Sequence, residues 1–328
     1  MLNSPNIRAG SAYRNRIMNI IKNRYSYFLI SLLVIIPGLI FLIINWVNIK
    51  APLPLGIDFT GGSLLEVQFE GARPASATVQ EAFLKFAPGS DPIVQPLGDD
   101  SFAIRSRTID DATKGEIVAE LDGKSDGAVT VLEFSSVSAS VGAEVTKAAG
   151  IAILMAALAI LLYIWYAFRG VEHAFRYGTA AILAMLHDVL VVLGVEAMLG
   201  YFLGWEADAL FLTALLTVIG FSVHDTIVVF DRIRENSHVY RRIGYETLVN
   251  HSIVQTLDRS INTQLTVMLT LFALALFGGE SIRHFVIILL VGIFSGTYSS
   301  IFNAAPLLVV WENREWKNWF RSPARSGV

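Results

Sequence analysis

The sequence contains no cysteine among its 328 residues, and charged residues make up only 16% of it. Without cysteine the chain can form no disulfide, no iron–sulfur site and no thiol-based active site. A domain outside the cytoplasm must therefore be stabilised by its own hydrophobic core. The scarcity of charge also excludes an ordinary soluble enzyme and a disordered chain, since soluble domains have about 25% charged residues. A net charge of −3 gives no reason to expect a nucleic-acid partner, because neutralising phosphates takes clustered Lys and Arg.

Hydrophobic residues make up 54% of the chain, and most of them lie in long runs. A membrane helix needs about 20 predominantly apolar residues. The sequence therefore predicts an α-helical polytopic membrane protein with six spans, of which the first is too long for a signal peptide. We expect Asn303 and Pro306 to break the inner end of span 6. In chain order the spans are 25–46, 148–168, 178–199, 209–230, 261–277 and 284–311.

Lysine and arginine are distributed unevenly among the segments that flank the spans. Residues 1–24 contain five of them and no acidic residue, and the loop 231–260 contains another five, whereas the loop 201–208 contains none. The positive-inside rule then places both termini, including the tail 312–328, in the cytoplasm. Within residues 8–24, apolar residues recur at helical spacing with basic residues beside them. This pattern predicts an amphipathic helix on the inner leaflet, with a frayed tail as the alternative.

The segment 51–147 separates spans 1 and 2 and has no apolar run long enough to cross a membrane. Its 15 acidic and 7 basic residues fit an external location, because long translocated domains escape the positive-inside rule. The segment contains no histidine, so no nucleophile–base pair is visible in it. Its pattern predicts a small α+β, ferredoxin-like domain of order β-α-β-β-α-β, with strands at 63–69, 92–97, 102–106 and 129–134 and helices at 76–86 and 110–121.

Ionisable residues lie within the predicted spans, where even the mildest scales set the cost of a mid-membrane charge at about 2.5–3.5 kcal/mol. His187 and Asp188 lie near the middle of span 3, and His224 and Asp225 lie in the inner half of span 4. Arg259 begins span 5 within about two helical turns of Asp225 in depth, so we expect these two to pair. We interpret both aspartates as functional and His187 as a buried hydrogen-bonding residue. A metal site made of the two His-Asp pairs is not expected, because adjacent positions on a helix point about 100° apart.

Polar and small residues form stripes at helical spacing along the later spans. A chain of such groups is what proton passage needs, but stripes of this kind also serve as packing surfaces between helices. The residues alone leave both interpretations open. Glu196, near the outer end of span 3, is expected to reach the interface. The stripes are Asn262, Thr263, Thr266 and Thr270 in span 5, and Gly292, Ser295, Gly296, Ser299 and Asn303 in span 6.

A glycine-rich motif follows span 1. Its glycines permit tight backbone turns, so we expect a structural joint between the membrane and the external domain. We do not expect a phosphate-binding loop, because no lysine follows and no helix is predicted to begin there. The motif consists of Gly56, Asp58, Phe59, Thr60, Gly61 and Gly62.

Together these motifs resemble the SecD/SecF family, which belongs to the bacterial Sec translocon and is of the resistance–nodulation–division type. The resemblance rests on the glycine motif, the pair His187-Asp188, and the segments 220–232 and 250–263, and it covers nearly the whole chain. It implies a multi-pass protein of the bacterial plasma membrane that has no cofactor and assists protein export with the proton gradient. Asp225 and Arg259 match the family's proton-route residues by motif. Gln264 stands where a smaller residue is expected.

The resemblance implies SecD, the SecYEG translocon, a translocating preprotein and membrane lipids as partners, and no nucleic acid. Two alternatives stay open, namely a proton-driven exporter of small molecules or lipids, and a purely structural stabiliser of SecD. Exporters of that type have longer, duplicated chains with larger external domains. No Ser–His or His-x-x-x-His arrangement favours an enzyme, so we hypothesise a transport subunit. Its proton pathway would comprise His187, Asp188, His224, Asp225, Arg259, Asn262, Thr263 and Thr266.

Overall fold

The structure is a computed structural model that describes residues 18–317 except 72, 126, 170–173 and 241. Residues 8–17 of the predicted amphipathic helix and residues 318–328 of the predicted tail therefore lie outside the described residues. The helices and strands run in the predicted general order. They are α1 (Arg24–Ile49), α2 (Ile57–Thr60), β1 (Gly62–Phe69), α3 (Ser76–Phe86), β2 (Ile93–Leu97), β3 (Ser101–Ser106), α4 (Asp111–Lys124), β4 (Val129–Val137), α5 (Ala139–Phe168), α6 (Ala174–Leu203), α7 (Ala209–Val239), α8 (Tyr245–Phe277), α9 (Glu280–Ser299) and α10 (Ala305–Glu312).

Six helical stretches in the described part of the chain are long and apolar enough to cross a membrane. They correspond to α1, α5, α6, α7, α8 and the continuous segment Ile282–Glu312, so the predicted fold class is confirmed. Several helices are longer than the apolar runs within them. The helix that contains the predicted span 261–277 already begins at Tyr245, because no Gly or Pro interrupts the intervening residues and their polar side chains do not end a helix.

The sixth span is not broken at Pro306, contrary to the sequence-based expectation. A π-helical turn over Ser300–Ala304 joins α9 to α10, and Pro306 lies in the first turn of α10. Proline has no backbone N–H and its ring clashes with the carbonyl four residues earlier. The wider π turn accommodates both effects, and the chain continues as a helix.

Three of the six spans form the centre of the helical bundle. In the most apolar stretch of each span, 44% of the residues are buried in α6, 50% in α7 and 56% in the sixth span, against 11% in α1, α5 and α8. The predicted close-packing face of the sixth span is confirmed. A Cβ at Gly292 would overlap the side chain of Val218, and one at Gly296 would lie 3.3 Å from the Cα of Ser222, so α9 and α7 approach closely because both positions are glycine.

The segment between α1 and α5 forms the predicted ferredoxin-like domain. Its four strands make one antiparallel sheet in the order β2-β3-β1-β4. The inward-facing residues alternate along β1, with Leu65, Val67 and Phe69 buried. They pack with Phe83 of α3 and Ile117 of α4 in one hydrophobic cluster, so both helices cover the same face of the sheet.

The described chain divides into two compact units. One contains Asn45–Leu154 together with Leu199–Leu212. The connection between α6 and α7 therefore belongs to the same unit as the inserted domain. The other unit contains the remaining parts of the membrane helices.

We expect the inserted domain to fold without disulfide or metal, because its hydrophobic cluster is contiguous and fully buried. In a soluble fragment of residues 51–147, Phe83→Ala should lower the free energy of unfolding by about 3–5 kcal/mol, the range for truncating a buried phenylalanine. The neighbouring Leu84 is 39% exposed, and Leu84→Ala should change it by much less. Urea unfolding followed by circular dichroism measures both values. A fragment with poorly dispersed amide NMR signals would contradict independent folding.

Candidate functional site

Asp188 is a carboxylate in the middle of α6 with no exposed surface. Three serine hydroxyls donate hydrogen bonds to it: Ser222 of α7 at 2.5 Å, Ser299 of α9 at 2.6 Å and Ser295 of α9 at 2.7 Å. Hydroxyl donors stabilise a carboxylate in the way that water would. Asp188 therefore joins the three most buried spans through one polar cluster.

His187 is the fourth partner of Asp188. Its Nδ1 lies 2.9 Å from the Oδ1 of Asp188, and its ring stacks on that of Tyr298 at 6.2 Å between centroids. His187 is thus a largely buried histidine that hydrogen-bonds to its neighbour Asp188. Among the described residues the Nε2 of His187 is buried and has no hydrogen-bond partner.

The serines reach Asp188 because of helical spacing. Ser295 and Ser299 are four residues apart and share one face of α9. The next residue, Ser300, begins the π turn, and its hydroxyl lies 2.9 Å from that of Thr226 on α7. A continuous polar seam therefore runs between α7 and the sixth span.

Asp225 of α7 is 6% exposed, and among the described residues no hydrogen bond joins it to this cluster. Its carboxylate accepts a hydrogen bond from the side-chain amide of Gln264 on α8. The Oε1 of the same amide is buried and has no partner among the described residues. The residue that departs from the family pattern is therefore the direct partner of Asp225.

Arg259 does not form the expected ion pair with Asp225. Its side chain is exposed, and it makes no ion pair with any residue that the structure describes. The reason is geometric: Arg259 and Gln264 are five positions apart and point about 140° from each other around α8. Since Gln264 faces α7, Arg259 faces away from it.

The remaining pathway candidates on α8 also lie on the outward side. Asn262, Thr263 and Thr266 are exposed. The hydroxyl of Thr266 donates to the carbonyl of Asn262 at 2.8 Å, which satisfies it within its own helix. Hydrogen bonds therefore join Asp188 to His187 and Ser222, and join Asp225 to Gln264, whereas the α8 stripe stays exposed.

His224 is exposed on α7. It makes no hydrogen bond to either aspartate among the described residues, but it interacts electrostatically with the adjacent Asp225. It follows the rule that neighbouring positions on a helix diverge by about 100°. In the described part of the chain no three His, Asp or Glu side chains gather into a group that could hold a metal ion.

The expectation that Glu196 reaches the interface is wrong. Glu196 is fully buried, and its Oε2 lies 2.7 Å from the Nε2 of His284 at the start of α9. The expectation followed from its position near the outer end of the predicted span 178–199. The periodicity is decisive instead, since Glu196 lies two i+4 steps after Asp188 and shares its buried face.

The glycine motif forms a compact turn. Contrary to expectation a helix does begin there, but α2 ends after four residues. Gly61 and Gly62 follow it with φ of 74° and 125°, and added Cβ atoms would lie 2.7 Å from Ala139 and 2.6 Å from the carbonyl oxygen of Ser106. Both positions therefore require glycine.

The polar residues of the motif bind neighbouring backbone. Asp58 accepts a hydrogen bond from the N–H of Ala209 at 2.9 Å. The carbonyl of Phe59 accepts one from the hydroxyl of Thr146 at 3.1 Å, and the Thr60 hydroxyl donates to the carbonyl of Gly56 at 3.1 Å. The motif thus contacts the first turns of α5 and α7.

Sequence reasoning missed the partners of both aspartates. The sequence predicts Ser295 and Ser299 as polar stripe residues but not as donors to Asp188, and it assigns no separate part to Ser222 within the segment 220–232. Their spacing gave the available signal, since two serines one turn apart on a helix with a close-packing face can converge on one buried group. Nothing in the sequence identified Gln264 as the partner of Asp225.

Comparisons with known proteins match the chain along most of its length. Residues 117–314 match the family model of the protein export membrane protein SecD/SecF, C-terminal, and residues 49–72 match that of the SecD/SecF GG motif. The protein translocase subunit SecF of Anaerolinea thermophila is 54% identical over 94% of this chain and 98% of its own. That of Thermobaculum terrenum is 49% identical over 93% of this chain and 97% of its own.

A solved structure has the same fold. The crystal structure of SecDF from Thermus thermophilus, described as a translocon-associated membrane protein, matches with a TM-score of 0.75 and 32% identity. The match covers 90% of this chain and 39% of that chain. Together with the six membrane helices, these matches establish that this multi-pass membrane protein belongs to the SecD/SecF family.

Proposed function

We propose that the chain is an accessory subunit of Sec protein translocation that pairs with SecD and uses the proton gradient to assist export through SecYEG. The names of its relatives support the translocation role. The observation that carries the proton role is Asp225, a buried carboxylate within a membrane helix. Among the residues that the structure describes, its one side-chain hydrogen bond comes from the neutral amide of Gln264.

The uncovered polar face of α8 supports a partner with membrane helices of its own. Arg259, Asn262 and Thr263 are exposed there, although polar groups facing lipid are costly. A SecD helix covering this face would shield the stripe. The fusion of the two parts in the SecDF of Thermus thermophilus supports this choice of partner.

Gln264 suits a carboxylate that gains and loses a proton. Its N–H group donates to the ionised carboxylate, and its carbonyl can accept from the O–H of the protonated acid. A rotation of the amide therefore serves both states without leaving either one unpaired. An approaching cation favours the ionised form of a carboxylate. We assign the role of this cation to Arg259, which would approach Asp225 when SecD binds the exposed face of α8.

Asp188 has a different part in this proposal. Three hydroxyls and an imidazole already surround it, so the cluster stabilises the packing of α6 on α7 and α9. This arrangement favours a structural anchor over a proton carrier for Asp188. His187 keeps an auxiliary place beside the proton pathway in this proposal, as the fourth partner of Asp188.

The proposed orientation follows the distribution of basic residues. Both termini face the cytoplasm of a bacterium and the inserted domain faces outward, where it meets the emerging preprotein. The contacts of the glycine motif with α5 and α7 support its role as a structural joint.

Asp225→Asn should abolish the stimulation of export by a proton gradient, because an amide cannot titrate, and should leave the complex with SecD assembled. Arg259→Met should do nearly the same, and Arg259→Lys should restore part of the response. His187→Ala should have a milder effect. The measurement is preprotein uptake into vesicles containing the complex and SecYEG, with an imposed gradient.

The matched control for this experiment is Asp231→Asn on the same helix. Asp231 pairs with Arg234 at 2.6 Å on an exposed surface, so its replacement should leave the response unchanged. Export by the Asp225→Asn vesicles at the wild-type rate, with an equal response to the gradient, would overturn the proton role and favour a structural stabiliser.

Gln264→Leu should reduce the gradient response, because it removes both the donor and the acceptor that face Asp225. Gln264→Asn keeps both groups on a shorter side chain and should retain more of the response. Leu265→Ala, at the next and exposed position, serves as the control in the same vesicle assay. Equal responses of the Gln264→Leu and Leu265→Ala variants would refute a part for the amide.

Ser299→Ala should destabilise the helical bundle, because it removes one donor to a buried carboxylate, an interaction worth about 1.5–3 kcal/mol. Thr297→Val is the matched control, since the Thr297 hydroxyl donates only to a carbonyl of its own helix at 3.1 Å. Thermal unfolding of the detergent-solubilised complex compares the two. If both variants unfold at the wild-type temperature, the cluster is not an anchor.

A further inference from the structure

The connection between α6 and α7 is held by the glycine motif through backbone hydrogen bonds. The N–H of Gly56 donates to the carbonyl of Ala207, and the N–H of Ala207 donates to the carbonyl of Pro54, each at 2.8 Å. Leu55 and Ala207 thereby form a parallel β-bridge. Reciprocal bonds of this kind fix the spacing of the two segments.

Asp58 extends this attachment to the helix itself. It accepts from the N–H of Ala209, while Asp208 accepts from the N–H of Phe211 at 2.7 Å. The first N–H groups of a helix have no partner inside it, and negative charge is favourable at that end. One of the two carboxylates at the start of α7 is therefore supplied by the glycine motif rather than by the helix.

A second attachment comes from the sheet of the inserted domain. Arg105 of β3 forms an ion pair with Glu206, and both side chains are largely buried. The amide of Gln95 on β2 lies close to Gly204. Burial lowers the pKa of Arg105 to about 10, so its guanidinium stays charged at neutral pH.

We propose that Asp58 and Arg105 are positioning residues that clamp the 204–208 connection to the inserted domain, so that the domain and the start of α7 move as one body. This inference rests on the proposed function, since the movement it transmits is the one that proton exchange at Asp225 produces. The helix from Ala209 to Val239 is continuous and contains Asp225. The clamp is a route to the domain in addition to the direct chain connections through α1 and α5.

The clamp is tested first by its geometry. The chain has no native cysteine, so Glu116→Cys and Leu203→Cys supply the only two sites for spin labels, both at exposed positions. Pulsed electron paramagnetic resonance on the complex in vesicles should give one narrow distance distribution that does not change with the proton gradient. Asp58→Ala combined with Arg105→Ala should broaden it, and Arg107→Ala should not, because Arg107 pairs with Asp91 on an exposed surface of the same domain.

The clamp is tested second by its effect on export. A disulfide between Leu55→Cys and Ala207→Cys locks the connection to the glycine motif, and the oxidised variant should respond to the gradient as the reduced one does. Asp58→Ala with Arg105→Ala should lose much of the response while the amount of complex and export without a gradient stay unchanged. The reversed pair Arg105→Glu with Glu206→Arg should recover more of it than Arg105→Glu alone.

The outcomes separate the clamp from the proposed function. Loss of export on oxidation, or a distance distribution that shifts with the gradient in the unmutated clamp, would overturn the clamp, because the connection would then have to detach. If the distance distribution is narrow and constant but export by the wild-type chain does not respond to the proton gradient, the clamp stands and the proposed function is refuted.

Discussion

A carboxylate in the interior of a membrane protein needs a substitute for water, and Asp188 obtains it from three serine hydroxyls and one imidazole. The rest of the bundle depends on this solvation. The hydroxyls come from two other helices, so α6, α7 and α9 must approach at the depth where Asp188 lies. Glycines at 292 and 296 allow that approach, and the apolar faces of the outer helices then pack on a centre whose geometry is already determined. The polar cluster around Asp188 thereby specifies how these helices pack, which contacts between apolar side chains alone would define less sharply.

Asp225 illustrates the opposite arrangement, a buried carboxylate with one side-chain hydrogen bond among the described residues. The donor is the neutral amide of Gln264 on α8. Arg259, the cation expected from the sequence, is also on α8 but faces away from Asp225. A saturated group and a nearly bare group thus lie in neighbouring parts of one bundle. Asp188 accepts three hydroxyl hydrogen bonds, whereas Asp225 accepts one from an amide. In the proposed function, a rotation of that amide accompanies the change of charge at Asp225.

The sequence predicted the six spans and the order of elements in the inserted domain because both follow from local periodicity. The alternation that makes Leu65 and Val67 face the core, and the spacing of Ile117 and Leu121 on α4, need no knowledge of distant residues. The partners of Asp188, Asp225 and Glu196 were not predicted, because they depend on how each helix is rotated about its axis. The expected pair of Asp225 and Arg259 matched in depth but not in direction. The attachment of Asp58 to Ala209 joins residues 151 positions apart, and no pattern along the chain indicates it.

The π turn between α9 and α10 divides the sixth span into two halves whose side chains are oriented independently about the helix axis. A π turn holds one more residue than an α turn, so side chains beyond it are rotated relative to an uninterrupted helix. The half before the turn is oriented by Ser295 and Ser299 at Asp188, and the half after it is oriented by the packing of Leu308 and Val309. Asn303 within the turn bonds to Ser31 of α1 at 2.8 Å. The residues before and after the turn can therefore each pack against their own neighbours without changing the orientation of the other half.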